Sequence, residues 1–272
     1  MAQVTATMVK NLRETTGAGM MDCKRALDEA EGDMDKGVEI IRKMGLAKAA
    51  KKAHRTTKEG VVRCVINDDV AVLAEILCET DFVASNANFV AYVDSVVEEA
   101  VTGDYAEGDI SDAVRETQKD QLGELTASVG ENIQIPRAVR WTPTGKVHSY
   151  IHDGGGTKIG VMVEIEGDHD EEFGKLMAMH ICASNPSYVS PEDVPAEVIE
   201  KEKEIAAAQP ELASKKPEMI EKILIGKIAR YYKDFCLTDQ VWCHDDKLQV
   251  KKVNPKAKVL RFLRWQLGET QA

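Results

Sequence analysis

A strand–turn–strand pattern that occurs twice constrains this chain more than any other feature. Gly60-Val-Val-Arg-Cys-Val-Ile-Asn-Asp68, followed by Val72-Leu-Ala-Glu-Ile76, matches Gly145-Lys-Val-His-Ser-Tyr-Ile-His-Asp153, followed by Val161-Met-Val-Glu-Ile165. A diverged internal repeat of this kind calls for two copies of one supersecondary unit. Val62, Cys64 and Ile66 in one copy, and Val147, Ser149 and Ile151 in the other, alternate as half-buried strands do. Asn67-Asp-Asp69 and Asp153-Gly-Gly-Gly156 fit hairpin turns. A helical segment follows each hairpin, Phe89 to Val101 in the first copy and Phe173 to Ala183 in the second, where Leu176, Met179 and His180 fall at helical spacing. The expected core is therefore α+β, built as two related subdomains over 59–140 and 141–272.

The copies differ at one junction. Twelve residues separate Ile76 from Phe89, whereas seven separate Ile165 from Phe173. The surplus is centred on Thr80-Asp-Phe-Val-Ala84 and places an aromatic residue in a lengthened loop. Loops on a rigid scaffold often carry function, so Phe82 is a candidate for contact with another molecule.

At 272 residues the chain has room for more than this core. Ahead of it, Val4, Met8 and Leu12, then Met20 to Ala30, then Val38, Ile40 and Ile41 behind the N-cap candidate Asp33 predict three short helices over 1–45, separated by Thr16-Gly-Ala-Gly19 and Glu31-Gly-Asp33. Residues 46–58 are rich in Ala and Lys and predict a semi-rigid tether, helical in part. Inside the second copy, Pro195 to Ala208 and Pro217 to Phe235 predict an antiparallel helical hairpin at about 195–235, with 209–216 between them. Leu248 to Val253 and Val259 to Trp265 alternate well enough to complete a sheet.

Charge separates along the chain within a net −11. Arg42 to Lys58 holds seven Lys or Arg and no acid, and Asp94 to Glu131 holds eleven acids and two basic residues. The acidic total argues against a nucleic-acid coat, since phosphate contacts need clustered Lys and Arg. The basic run reads either as a patch for RNA or an acidic partner, or as a solvated connector. A composition 43% hydrophobic and 30% charged predicts folding over most of the length. The N-terminus lacks a signal-peptide pattern and no apolar run approaches the ~20 residues that cross a bilayer, so a cytoplasmic location and no membrane partner are expected.

Few residues suggest covalent chemistry. The six cysteines form no Cys-x-x-Cys pair and are expected to be free thiols. Cys236, Cys243 and His244 lack the spacing of a zinc site, though they are the set that a thiol or metal enzyme would have to use. Asp153-Gly-Gly-Gly-Thr157 lacks the Lys-Ser/Thr end of a phosphate loop and reads as a turn. His180 fits a satisfied core or interface histidine. His152, expected at a hairpin tip, has a contact role or none. No cofactor is expected.

Two strings are specific. Thr16-Gly-Ala-Gly-Met-Met-Asp-Cys-Lys-Arg-Ala-Leu27 resembles the N-terminal signature of the elongation factor Ts family, and Cys78-Glu79 leading into Thr80-Asp-Phe-Val-Ala84 resembles its second signature. Gly130-Glu-Asn-Ile-Gln-Ile135, the His152-Asp-Gly hairpin and Met177 to Pro186 are also similar to the family pattern. The resemblance implies a ubiquitin-associated (UBA)-like three-helix module, two related subdomains and a protruding helical hairpin. It implies a guanine-nucleotide exchange factor, not an enzyme, that binds the GTPase elongation factor Tu in its GDP form and speeds GDP release during translation elongation. Carried over by position, Phe82 would wedge near the GTPase's magnesium and phosphate region together with Thr80, Asp81 and Val83. Val129, Gly130 and His152 would press on neighbouring elements, and Lys24 would help the first module dock. Direct nucleic-acid binding is not expected on this reading; the alternative is an RNA- or ribosome-binding protein that uses residues 42–58. The hairpin is open to pairing two copies into a homodimer or to touching the partner. Many family members carry a further helical module after the last strand, whereas this sequence stops soon after Glu269, which leaves the partner contacts of such a module open: a trimmed tip, or another surface that compensates.

Overall fold

The computed structural model describes residues 4–67, 69–209 and 217–269. It is mixed helix and sheet. The chain forms two compact units: one takes the chain up to Thr142 together with Asp153–Ile159 and the stretch from Trp265, and the other takes Pro143–His152 with Gly160–Arg264.

The first unit begins with α1 (Ala6–Thr16), α2 (Met20–Glu29) and α3 (Met34–Lys52). Thr5 opens α1 by accepting the Met8 N–H, and Gly17, at φ 66°, closes it in a left-handed conformation that costs glycine little. Asp33 caps α3 by accepting the Asp35 and Lys36 N–H groups. Leu12, Cys23, Ala26, Leu27 and Ile41 make the small core that the three helices share.

The tether expected over 46–58 is ordered differently. α3 continues unbroken to Lys52, because Ala and Lys are strong helix formers and nothing between Leu46 and Lys52 interrupts them. Its flank packs on a later helix of the same unit, Lys119–Val129, and the two backbones meet at glycines: a Cβ on Gly45 would lie 2.7 Å from the Gly123 carbonyl oxygen. The boundary expected near residue 45 thus falls inside a helix. The separated charge runs meet within this unit where Arg42 Nε reaches Glu124 at 2.9 Å, and two further basic residues pair with acids outside the acidic run, Lys48 with Asp22 at 2.5 Å and Arg55 with Glu79 at 3.4 Å.

Next come β1 (Glu59–Ile66), β2 (Ala71–Cys78), the single turn α4 (Asp81–Ala84), α5 (Ala87–Thr102), β3 (Gly108–Asp109), α6 (Ser111–Thr117), α7 (Lys119–Val129) and β4 (Gln134–Trp141). The sheet order is β1-β2-β4-β3, with each neighbouring pair antiparallel. Every residue of the central strand β2 is buried. Val72, Ala74 and Ile76 pack with Phe89, Val93, Val96 and Val97 of α5 and with Val114, Leu125 and Ile135.

Neither β4 nor the helix pair α6 and α7 is marked by a period in the sequence. Pro136 breaks the strand pattern of β4, because a proline cannot donate to a ladder. It is accommodated where the β2–β4 register shifts between Glu75 and Leu77.

The other sheet is three-stranded and ordered β5-β6-β7, from β5 (Lys146–Gly154), β6 (Thr157–Gly167) and β7 (Ala257–Gln266). Gly155 and Gly156, at φ 62° and 77°, form the turn joining β5 to β6. α8 (Glu171–Ser184) starts behind Asp170, which accepts the Phe173 N–H at 2.8 Å. α9 (Ala196–Ala207) and α10 (Pro217–Phe235) pack on each other; residues 210–216, expected to link them, lie outside the described residues. The strand expected over Leu248–Val253 is instead a short helical turn, α11 (Val250–Val253). Val250 and Val253 are three apart, the spacing of one helical turn, and the Val250 N–H is taken by the Gln240 carbonyl at 3.1 Å. None of the described helices is long and apolar enough to cross a membrane.

Residues matched by the repeat occupy matched surroundings, each within its own unit. Glu75 on β2 and Glu164 on β6 are buried, and each accepts from an arginine on the neighbouring strand, Arg137 at 2.7 Å and Arg261 at 2.6 Å. A Cβ on Gly60 would sit 2.1 Å from the Ile76 carbonyl oxygen, and one on Gly145 would sit 2.6 Å from that of Ile165.

Candidate partner-binding site

The surplus residues of the first copy do not form an open loop. Thr80 leaves β2 in an extended conformation and caps one helical turn, its hydroxyl accepting the Val83 N–H at 3.4 Å. The Asp81 carboxylate accepts the Phe82 N–H at 3.0 Å. Such a turn has one face toward the protein: Ala84 is buried and Val83 packs against the core, which leaves Asp81 and Phe82 outside. Phe82 is 85% exposed. A large aromatic side chain held in water has given up the stabilisation that burial would supply, which makes it informative where an isolated exposed valine is not.

The base of this turn is tied to residues some fifty positions away. Glu131 accepts the Glu79 and Thr80 N–H groups at 3.1 and 3.0 Å, and the Thr80 hydroxyl at 2.6 Å. The arrangement is reciprocal, since the Glu79 carboxylate accepts the Asn132 N–H at 2.6 Å. The buried Cys78 thiol donates to the Thr80 carbonyl at 3.1 Å. Burial first, and then the nearby Glu131 carboxylate, push that thiol's pKa up to about 12, so it remains a donor at neutral pH.

Val129 and Gly130 adjoin the same place. Val129 ends α7 half-buried against the core, and Gly130, at φ 82°, reverses the chain so that Glu131 faces Thr80. The Gly130 carbonyl accepts from Lys52 at the end of α3, and partial burial lowers the pKa of that amine. The structure therefore brings Thr80, Asp81, Phe82, Val83, Val129 and Gly130 into one neighbourhood. Lys24 lies elsewhere in the first unit, exposed on α2 near Met20 and Met21, which are also exposed.

His152 stands in the second unit, where its surroundings differ from those expected. The hairpin tip is Gly155-Gly156, and His152 lies within β5, half-buried, its Nδ1 3.5 Å from the Tyr150 hydroxyl. The two-residue period of the strand puts both rings on one face and directs Ile151 to solvent on the other.

Sequence reasoning gave Glu131 and Asn132 no role of their own. Their partners are distant in sequence, and Gly-Glu-Asn carries no local chemical signal beyond the family string. The thiol and histidine candidates in the second unit have structural surroundings. His180 is buried under Trp242, bonded to Gln240 at 3.0 Å and to the Cys243 N–H at 3.2 Å. Burial raises the Cys236 thiol to about 11, away from the reactive thiolate. Among the described residues no group of three or more His, Cys, Asp or Glu could hold a metal ion.

Comparison with known proteins agrees with the motifs. Residues 79–269 match the family model described as Elongation factor TS. An elongation factor Ts of Nautilia profundicola is 43% identical over 99% of this chain and 94% of its own length. Those of Clostridium botulinum strain Alaska E43 and Teredinibacter turnerae are each 42% identical over 98% of this chain, covering 93% and 91% of their own lengths.

Proposed function

The chain belongs to the elongation factor Ts family, and on that premise we propose that it is a guanine-nucleotide exchange factor for elongation factor Tu in translation elongation, acting by binding and without catalysing a reaction of its own. In this reading Phe82 enters the GTPase beside its magnesium and phosphate region, with Thr80, Asp81 and Val83 in the same intrusion. Val129 and Gly130 press alongside and His152 makes a separate contact. The N-terminal helices act as a UBA-like docking module through Lys24, ahead of two related core subdomains. The protein would work in the cytoplasm without binding nucleic acid directly.

One observation carries the reading: an almost fully exposed phenylalanine stands on a turn whose base is hydrogen-bonded to the core. A phosphate held by backbone N–H groups and a bridging cation loses affinity when those groups move slightly. Wedging requires a stiff apolar side chain on a stiff base, and no acid or base catalyst. Linkage then demands that whatever factor this protein removes from GDP affinity, GDP removes from its own.

The test is release of labelled GDP from elongation factor Tu. Wild-type protein should accelerate it and Phe82→Ala should lose most of the acceleration, since truncating a central aromatic anchor typically costs about 2 kcal/mol or more, roughly thirtyfold. A wild-type protein without effect removes the exchange reading. A fully active Phe82→Ala removes only the wedge.

A further inference from the structure

We infer that Glu131 is a positioning residue for exchange, fixing the base of the Thr80–Ala84 turn so that Phe82 is presented in one orientation; the inference rests on the wedge reading above. A four-residue helix has almost no stability of its own, because nucleating a turn fixes several dihedrals for a single hydrogen bond. The direction in which Phe82 points must therefore come from outside α4. Glu131 supplies three of the bonds that set it, from the Glu79 N–H, the Thr80 N–H and the Thr80 hydroxyl. The Thr80 carbonyl is engaged as well, accepting from the Ala84 N–H and the Cys78 thiol, each at 3.1 Å. Every polar group of Thr80 is thus committed, while two residues further on Phe82 is left in water.

The clamp has a second end. Gly130 turns the chain immediately before Glu131 and its carbonyl is held by Lys52, while Asn132 returns a bond to Glu79 and donates its side-chain amide to the Arg55 carbonyl at 2.8 Å. Movement of the 130–132 segment would be passed to Thr80 through a rigid carboxylate, and from there to the aromatic ring. A side chain prepositioned in this way enters its partner without first losing conformational freedom.

Glu131→Gln is nearly isosteric, but it removes the charge that strengthens all three bonds and, with its oxygen turned to the Glu79 and Thr80 N–H groups, leaves an amide nitrogen that cannot accept from the Thr80 hydroxyl. Its expected effect is a fall of about tenfold in the maximal rate of stimulated GDP release, because misplacing a reacting or wedging group by ~1 Å has consequences of that size or larger. The concentration giving half the effect should move much less, which separates orientation from docking. In the Phe82→Ala background the same change should add nothing, since both act through one ring. In the free protein, hydrogen exchange at the Glu79 and Thr80 amides should accelerate in the variant.

Thr80→Val breaks the clamp from its other side and stands in if Glu131→Gln unfolds. Equal maximal rates in wild type and the clamp variants, or effects of Phe82→Ala and Glu131→Gln that multiply, would overturn the inference. If Phe82→Ala itself proves as active as wild type, the wedge reading fails and this inference falls with it. A slow Phe82→Ala beside a fast Glu131→Gln removes this inference alone.

Discussion

At Gly60 and Gly145 the reason for glycine can be read from the neighbouring backbone. Gly60 has φ 142°, and a Cβ there would be 2.1 Å from the Ile76 carbonyl oxygen, closer than atoms approach; at Gly145 the corresponding distance is 2.6 Å. Gly60→Ala and Gly145→Ala should each destabilise by about 1–3 kcal/mol or more, as overpacking does, and urea unfolding would measure it. Gly155 has positive φ but open space around its Cβ position, so Gly155→Ala should cost only about 1 kcal/mol, the backbone penalty alone. Phe82→Ala should leave stability within about 0.5 kcal/mol, because the ring touches mainly water, while on the proposed reading it should lose most of the stimulated exchange. Loss of function without loss of stability is the signature of a contact residue.

Elements are held together in a way that residue types alone do not disclose. α3 reads locally as a basic, Ala-rich helix, and what fixes it on α7 is the close approach of Gly45 and Gly123, with Leu46 filling the space beside them. Gly45→Val should push the pair apart, lower stability by about 1–3 kcal/mol and speed amide exchange along both helices. Two basic side chains on α3, Arg42 and Lys48, already have carboxylate partners in Glu124 and Asp22. Such pairs are worth little individually, but each occupies a cation that an RNA-binding surface would need free. The Thr80–Ala84 turn makes the complementary point: its sequence supplies a cap and an aromatic residue, while its orientation depends on Glu131.

Across the whole molecule each unit buries a glutamate against an arginine. Glu75 is fully buried, and Arg137, which binds it, also reaches Glu269 at 2.7 Å and lies over the Trp265 ring. Arg137→Ala would leave the buried carboxylate its bond from the Gly268 N–H but no counter-charge, and should cost about 3–5 kcal/mol of first-unit stability, read by thermal or urea unfolding. In the second unit burial opposes ionisation of Glu164, yet hydrogen bonds from the Gly145 N–H, Arg261 and the Thr144 N–H hold its pKa below the usual value. His148, whose ring lies against Gly174 with Nδ1 3.1 Å from Glu171, has its pKa lowered chiefly by burial, against the pull of Glu171. Both shifts have the same sign on folding, since each native group binds its proton less readily than the unfolded one. The contribution of His148 is present above about pH 6.5 and declines as pH falls through its lowered native value; that of Glu164 is present above about pH 4.3 and declines below it. Unfolding followed from pH 7.5 to 5 should therefore show falling stability, and His148→Gln should flatten that slope.

Repetition, helix signals and the signature strings were sufficient to give the α+β class, most helices, both hairpins and the candidate aromatic residue, because caps, periodicity and turns are local properties written into neighbouring residues. β4 was hidden by Pro136, since a bulge that tolerates proline exists only once β2 lies beside it. The strand expected over Leu248–Val253 does not form because two apolar residues three apart fit a helical turn as well as an imperfect strand, and among the described residues antiparallel pairing there is confined to the single bridge Val241–Gln249. His152 lies in the strand and not at the hairpin tip because the chain reverses only at Gly155 and Gly156. Phe82 could be singled out from the sequence, but what holds it could not: Glu131, Asn132 and Lys52 reach it only after the chain has folded back on itself, and hydrogen bonds across such separations leave no trace in the spacing of residues along the chain.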